Sequence, residues 1–385
     1  MFSSLADDLA GREAAGLLRS RRVVDGRQQP RLQVDGRELL SFCSNDYLGL
    51  ASHPDLIAAL QQAADKAGVG GGASHLITGH HRLHHELEEA LAAFVGLPRA
   101  LLFSTGYMAN LGVVPALVGR GDAVFADRLN HASLYDAVVL SRAQLQRYPH
   151  NDLAALEALL TRSQAKRKLV LADAVFSMDG DLAPVPQLLE LCERFDAWLM
   201  LDDAHGFGVL GTHGRGVLEH FGVHSPRIIY MATLGKAAGV SGAFVAGDAV
   251  LVDYLLQHAR TYTYTTATPP PLAGALLASL RLIAQDDWRR TRLAQLIKAL
   301  QDTLKLRRWH LAASTTAIQP VIIGSNDEAL AASKHLLDHD ILVPAIRPPT
   351  VPKGTARLRI SLSAAHTIED IEHLAAALQA AEAAA

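Results

Sequence analysis

Between about residues 46 and 270, short wholly apolar runs alternate with segments whose apolar positions recur at helical spacing. The runs 100–104, 123–126, 169–175, 198–202, 228–233 and 242–246 carry no polar alternation, so they read as strands buried on both faces. The intervening segments 109–118, 153–160 and 186–195 read as helices lying on that sheet. Strand–helix–strand repetition predicts an α/β fold with a large, mixed, mostly parallel sheet. Ligand chemistry then belongs at the carboxyl ends of the strands. A break at Pro269-Pro270-Pro271 leads into a long helical stretch, after which the texture changes. Strands at 318–323, 341–345 and 356–362, with helices at 327–338 and 367–383, predict a smaller α+β unit. The expected division is an N-terminal arm over 1–45, a large domain over 46–280 and a small C-terminal domain over 281–385.

Composition narrows this picture. The 385 residues are 49% hydrophobic and 19% charged, enough apolar matter for two or three packed domains. The 36 Lys+Arg against 39 Asp+Glu leave a net charge of −3. That balance argues against a nucleic-acid or acidic-lipid partner. Two cysteines, Cys43 and Cys192, cannot make a disulfide framework. The first 22 residues have no apolar core of a signal peptide, and no run of about 20 apolar residues exists. The expectation is a cytoplasmic protein without a membrane span. Arg19, Arg21, Arg22, Arg27 and Arg31 face only Asp25 in the arm, which suits either a solvated helix end or an anionic ligand.

Three motifs invite misreading. Gly206-Phe207-Gly208-Val209-Leu210-Gly211 has dinucleotide spacing after a strand, but glycines rather than a helix follow it. The strand at 228–233 also ends without the acid that would hold a ribose. His80, His81, His84 and His85 fall at helical spacing, yet Arg82 stands where a zinc protease carries Glu, which favours a hydrogen-bonded cluster. Gly235-Lys236 lacks the first glycine and the Ser/Thr of a phosphate loop.

What survives is a set of residues on successive strand ends. Only eight lysines accompany 28 arginines, and Lys236 alone follows an apolar strand and a small-residue turn. A lysine fed into a dry site loses solvation, its pKa falls, and it becomes a Schiff-base nucleophile. Asp202 and His205 end the run 198–202, where a carboxylate could keep a pyridine nitrogen protonated and a histidine could bond a phenolic oxygen. Phe103-Ser104-Thr105-Gly106-Tyr107 runs from strand through a glycine turn into a helix, whose free N–H groups make a phosphate seat. Ser177 follows the run 169–175, and His131 offers a flat ring for stacking. Together these residues spell the constellation of a pyridoxal-phosphate enzyme.

At these positions the sequence resembles the α-oxoamine synthase family of fold type I pyridoxal-phosphate enzymes, which are aspartate-aminotransferase-like. The resemblance runs from Leu9 to the last helix. It is strongest at Ser44-Asn45-Asp46-Tyr47-Leu48-Gly49-Leu50, Phe176-Ser177-Met178-Asp179-Gly180-Asp181, Asp202-Asp203-Ala204-His205-Gly206 and Thr233-Leu234-Gly235-Lys236. Arg347-Pro348-Pro349-Thr350-Val351-Pro352 is similar to the biotin-pathway branch. The resemblance implies that Lys236 binds pyridoxal 5'-phosphate as a Schiff base, Asp202 pairs with its ring nitrogen, His205 meets its phenolic oxygen and His131 stacks on its face. It implies phosphate or ring contacts from Gly106, Tyr107, Ser177 and Thr233, with Thr265 or Thr266 reaching the phosphate of a partner subunit in a homodimer. Arg359 resembles the clamp for the amino-acid carboxylate, and Arg19, Asn45, His131 and Thr350 resemble substrate contacts. The glycine loop departs from relatives, reading Gly70-Gly71-Gly72-Ala73-Ser74-His75-Leu76.

The implied reaction is decarboxylative condensation of L-alanine with a pimeloyl thioester, either pimeloyl-CoA or pimeloyl-acyl carrier protein. Two alternatives stay open on sequence. One is another family member such as a glycine C-acetyltransferase, and the other is a nicotinamide oxidoreductase built on 206–211.

Overall fold

The computed structural model describes residues 2–385. The apolar runs form one seven-stranded sheet in the order Arg99–Phe103, Ala243–Gly247, Ile228–Thr233, Trp198–Asp202, Lys168–Asp173, Ala123–Asp127, Gln144–Tyr148. Only Ala243–Gly247 runs antiparallel to its neighbours. Ala123–Asp127 and Ala243–Gly247 are buried along their whole length, as strands covered on both faces must be. Gln144–Tyr148 was not legible as a strand. It is the edge, pairs on one side only, and its polar sequence faces solvent.

The helices Gly106–Leu117, Leu153–Arg162 and Val185–Arg194 fall where the helical spacing placed them, each within a few residues. Each follows a strand end and returns the chain across the sheet. Helices Pro270–Gln285 and Asp287–Thr303 then lead to a second layer. There the strands His310–Leu311, Ile318–Gly324, Ala356–Ser361 and Ala345–Ile346 form an antiparallel sheet. Helices Asn326–Asp338 and Ile368–Ala384 accompany it.

The expected single strand 341–345 is two strands in different sheets. Ile341–Leu342 pairs with Arg37–Ser41, whereas Ala345–Ile346 pairs with Ala356–Ser361. Pro344 lies between them, and a proline lacks the N–H that a continuous ladder needs. Val24–Asp25, Arg31–Val34 and Arg37–Ser41 thus share a sheet with residues 341–342. The chain's N-terminal segment is tied to the small layer through that sheet. Among the described residues, no helix is long and apolar enough to cross a membrane.

Candidate active site

The carboxyl ends of neighbouring sheet strands surround a cavity of about 210 Å³. Gly106, Tyr107, His131, Ser177, Asp202, His205, Thr233 and Lys236 all line it, so the residues singled out on separate strand ends converge. Asn110, Ser133 and Asp173 line it as well.

Lys236 is half-buried just past the strand Ile228–Thr233. Its Nζ lies 2.9 Å from His205 Nε2. Burial brings its pKa down from 10.5 to about 8, against the pull of the Asp202 and Asp173 carboxylates. Burial, followed by the positive charge of Lys236, holds His205 well below the usual histidine range, so its ring is neutral. His205 Nδ1 lies 2.6 Å from the Tyr47 hydroxyl, which donates to Asn45 Oδ1 at 3.1 Å. A hydroxyl both donates and accepts, so Tyr47 can support either tautomer of His205.

Adjacent acids at one strand end take opposite roles. Asp202 Oδ2 accepts from Asn110 Nδ2 at 2.9 Å, and Oδ1 accepts from the Ala204 N–H at 3.1 Å. Asp203 turns away from the cavity, where Oδ2 accepts from Tyr230 Oη and the Val217 N–H, both at 2.8 Å. Across the ladder Asp173 is in register with Asp202. Burial and then the Asp202 charge push the Asp173 carboxyl well above the usual carboxylate range. It accepts the His131 N–H at 3.1 Å, and His131 Nδ1 sits 2.7 Å from Ser133 Oγ.

Arg359 comes from the small layer, on the strand Ala356–Ser361, and is only 6% exposed. Its Nε donates to the Ser177 carbonyl at 2.6 Å. Its Nη1 donates to Ser361 Oγ at 2.7 Å and to Asn45 Oδ1 at 3.3 Å. All these acceptors are neutral. Two residues away, Arg357 pairs with Asp179 at 2.7 Å. Among the described residues, neither Arg359 nor Asp202 has an ion-pair partner, although both are buried.

Not every sequence-derived residue gathers here. Arg19 and Thr350 are exposed and lie outside the cavity. Thr265 is half-buried and Thr266 exposed, also outside it, and Thr266 forms an isolated bridge with Ser74 of the glycine loop. Sequence reasoning missed Tyr47, Asn110 and Asp173 as site residues. Tyr47 sits inside the stretch 44–50, and Asn110 follows Gly106 by one helical turn. Asp173 ends a predicted strand run, so a signal existed for each.

The misleading motifs resolve physically. After Gly206–Gly211 the chain turns, and the short helix Val217–Phe221 begins only at 217. His81 caps the helix Arg82–Val95. His75, His80 and His84 come together, with candidate ligand atoms within 4.8 Å of one another. Both His84 nitrogens are engaged by backbone, however: Nδ1 accepts from the His81 N–H, and Nε2 meets the Thr268 carbonyl.

The pocket suits a phosphorylated pyridine cofactor. The Gly106 and Tyr107 N–H groups, at the start of the helix Gly106–Leu117, find no acceptor among the described residues. A Cβ on Gly106 would lie 2.5 Å from Thr233 Cγ2, so only glycine lets this helix start approach the strand end. Asp202 supplies an unpaired carboxylate, and Lys236 an amine of lowered pKa.

Known proteins agree with this geometry. Residues 37–378 match the family described as aminotransferase class I and II. The 8-amino-7-oxononanoate synthase of Methylobacillus flagellatus is 65% identical over 374 residues, 97% of this chain and 94% of that protein. This chain belongs to the α-oxoamine synthase family. Among solved structures, a lysine-to-alanine variant of serine palmitoyltransferase from S. paucimobilis, with a pyridoxal phosphate–myriocin aldimine bound, superposes with a TM-score of 0.93. It is 31% identical, covering 100% of this chain and 98% of that one. The 8-amino-7-oxononanoate synthase from Francisella tularensis is 31% identical with a TM-score of 0.77, covering 89% and 97%. As an α-oxoamine synthase, the chain has the fold type I architecture and depends on pyridoxal phosphate. Its activity is that of an acyltransferase of biotin biosynthesis forming 8-amino-7-oxononanoate.

Proposed function

We propose that the cavity residues, with Arg359 and Asn45 behind the Ser177 wall, divide the condensation of L-alanine with a pimeloyl thioester among themselves, yielding 8-amino-7-oxononanoate, carbon dioxide and the free thiol. The observation that carries this reading is a pair of buried charges without ion-pair partners among the described residues: Asp202 lacks a cation, and Arg359 lacks an anion. Leaving an ion unpaired in the interior is costly, so each awaits a ligand group of opposite sign.

Pyridoxal phosphate supplies a carbonyl that joins amines and a protonated ring that accepts electrons. Lys236 would hold it covalently through Nζ, the role for which a lowered pKa prepares an amine. Asp202, steadied by Asn110 and the Ala204 N–H, would keep the ring nitrogen protonated. His205 would meet the phenolic oxygen, and His131 would lie against the ring face. The Gly106 and Tyr107 N–H groups, with the Ser177 and Thr233 hydroxyls, would seat the phosphate. Arg359 would grip the carboxylate of alanine, with Asn45 orienting the guanidinium. Lys236, released when alanine binds, would take the Cα proton and return a proton to the same carbon after carbon dioxide leaves.

Thr265 and Thr266 lie outside their own chain's cavity, which supports a role at the site of a second copy in a homodimer. Arg19 and Thr350 would meet the thioester arm, whose carrier is coenzyme A or a carrier protein.

The test offers alanine or glycine with pimeloyl-, acetyl- and succinyl-CoA, and pimeloyl-acyl carrier protein, and measures kcat/KM for each. Alanine with a pimeloyl thioester is expected to lead. Glycine is expected to react more weakly, since one methyl group discriminates by only about 1–3 kcal/mol. Preference for glycine with a short acyl-CoA would overturn the substrate assignment while leaving the family intact.

A further inference from the structure

Behind the cavity lies an ionic cluster that the proposed chemistry does not use. His150 sits just beyond the edge strand Gln144–Tyr148. Its Nδ1 is 3.1 Å from Asp127 Oδ2, and its Nε2 is 2.7 Å from Asp181 Oδ2. The Phe176 ring meets the imidazole edge-on, with centroids 4.3 Å apart. Asn151 adds a bond from Nδ2 to Asp181 Oδ2 at 3.1 Å, and its N–H donates to Asp127 Oδ2 at 2.8 Å.

Neither carboxylate lines the cavity, but each holds a segment that does, with His131 on one and Ser177 on the other. Asp127 ends the strand Ala123–Asp127 and folds the turn that follows it. Its Oδ1 accepts from the Leu129 N–H at 2.8 Å, and its carbonyl accepts from the Asn130 N–H at 3.1 Å. The next residue is His131. Asp181 closes the opposite loop, where its carbonyl accepts from the Phe176 N–H at 3.0 Å. The next residue along that loop is Ser177, whose carbonyl receives Arg359 Nε.

We propose that His150 is a positioning residue for the amino-acid substrate: its imidazolium ties Asp127 to Asp181 and so sets the Ser177 carbonyl that aims Arg359. The inference rests on the reading of Arg359 as the carboxylate clamp. The imidazolium form is supported by its surroundings. Burial works against it, but the hydrogen bonds and charges of Asp127 and Asp181 outweigh burial and raise the His150 pKa to about 10. The charge therefore persists through neutral pH. The loop is anchored on its far side too, because the Gly180 carbonyl accepts from Ser314 Oγ and Thr316 Oγ1. Arg357 holds the same loop at the Met178 carbonyl and at Asp179, and Asn151 holds Asp181, so removing His150 takes away one anchor among several and shifts Ser177 without unfolding the loop. The bond it breaks is ionic, of the strength that only a charged partner reproduces.

The experiment uses the cofactor-loaded enzyme with His150→Gln, Asp181→Asn, Arg359→Lys and the double variant of His150→Gln with Arg359→Lys. His150→Gln is expected to raise the KM for L-alanine roughly ten- to hundredfold, the scale of a small misplacement of a positioning group. The thioester KM is expected to stay within about twofold of wild type, and the cofactor, held covalently through Lys236, to remain bound. Asp181→Asn should reproduce the effect, and it carries the test if His150→Gln does not fold. Because both act through one contact, the double variant should need no more alanine than Arg359→Lys alone. If Arg359→Lys raises the alanine KM while folded His150→Gln and Asp181→Asn do not, the positioning role is overturned. A parallel fall in every kinetic constant together with Tm overturns it as well, since that describes a purely structural bond. An unchanged alanine KM in Arg359→Lys instead removes the clamp reading on which the inference rests.

Discussion

The floor of the site and its rim are built differently. On the floor, Lys236 meets His205 and Asn110 donates to Asp202, side chain to side chain, and each hangs from the end of a buried strand or the helix beside one. At the rim, Arg19, Thr350 and Thr266 are exposed and stand apart from that network. The contrast separates two kinds of functional residue. Floor residues are held in place before any ligand arrives, so their catalytic value is large and sensitive to small displacement. Rim residues gain a fixed position only against a ligand or a second chain, and each contributes modestly.

Lys236→Ala tests the floor hardest. Turnover and borohydride-reducible attachment of pyridoxal phosphate are both expected to vanish, while circular dichroism reports an intact fold. Retained reducible attachment would show that another amine does this work.

The adjacent acids come next. Asp202→Asn removes the only cavity-facing charge of the pair, and breaking a buried charge pair costs roughly 3–5 kcal/mol, or about two to four decades in rate. Asp203→Asn keeps an oxygen for the Val217 N–H or Tyr230 Oη and is expected to stay within about tenfold of wild type. Equal losses in kcat would mean that the wrong carboxylate has been given to the ring nitrogen.

The buried amine also predicts a pH response. Below its pKa of about 8 the Lys236 ammonium is not nucleophilic, so the reactive fraction rises about tenfold per pH unit up to that point and then levels off. Capture of pyridoxal phosphate by the stripped protein, trapped with borohydride at a series of pH values, should break near pH 8. A rate still climbing at pH 10 would place the amine in water.

Smallest are the rim effects. Arg19→Ala and Thr350→Ala should raise only the KM of the thioester, by about two- to fivefold, the worth of an exposed polar contact. A loss of several decades in kcat from either variant would erase the distinction between floor and rim.

Much of this was legible along the chain because a parallel sheet advertises itself. Its strands are unbroken apolar runs, and its chemistry sits where those runs stop, as at Thr233 before Lys236 and at Asp202. Where that signature fails, sequence reading failed too. Gln144–Tyr148 is half exposed and polar, so nothing distinguishes it from a loop. Residues 341–345 read as one strand because both ends of the run are apolar, although Pro344 sends them to different sheets.

The sequence by itself determined the order of the elements, the strand ends that carry the reactive groups, and the family, because periodicity and local motifs are properties of neighbouring residues. Only the tertiary structure decided which charges have partners. Burial, and then the Asp202 charge that folding brings beside it, push the Asp173 carboxyl up, and among the described residues Arg359 has no ion-pair partner although Arg357 finds Asp179. His150 lies between two carboxylates 23 and 31 residues away in the chain. Charge, burial and hydrogen bonding are set by distances in space, and distances in space between remote residues are what the one-dimensional pattern does not contain.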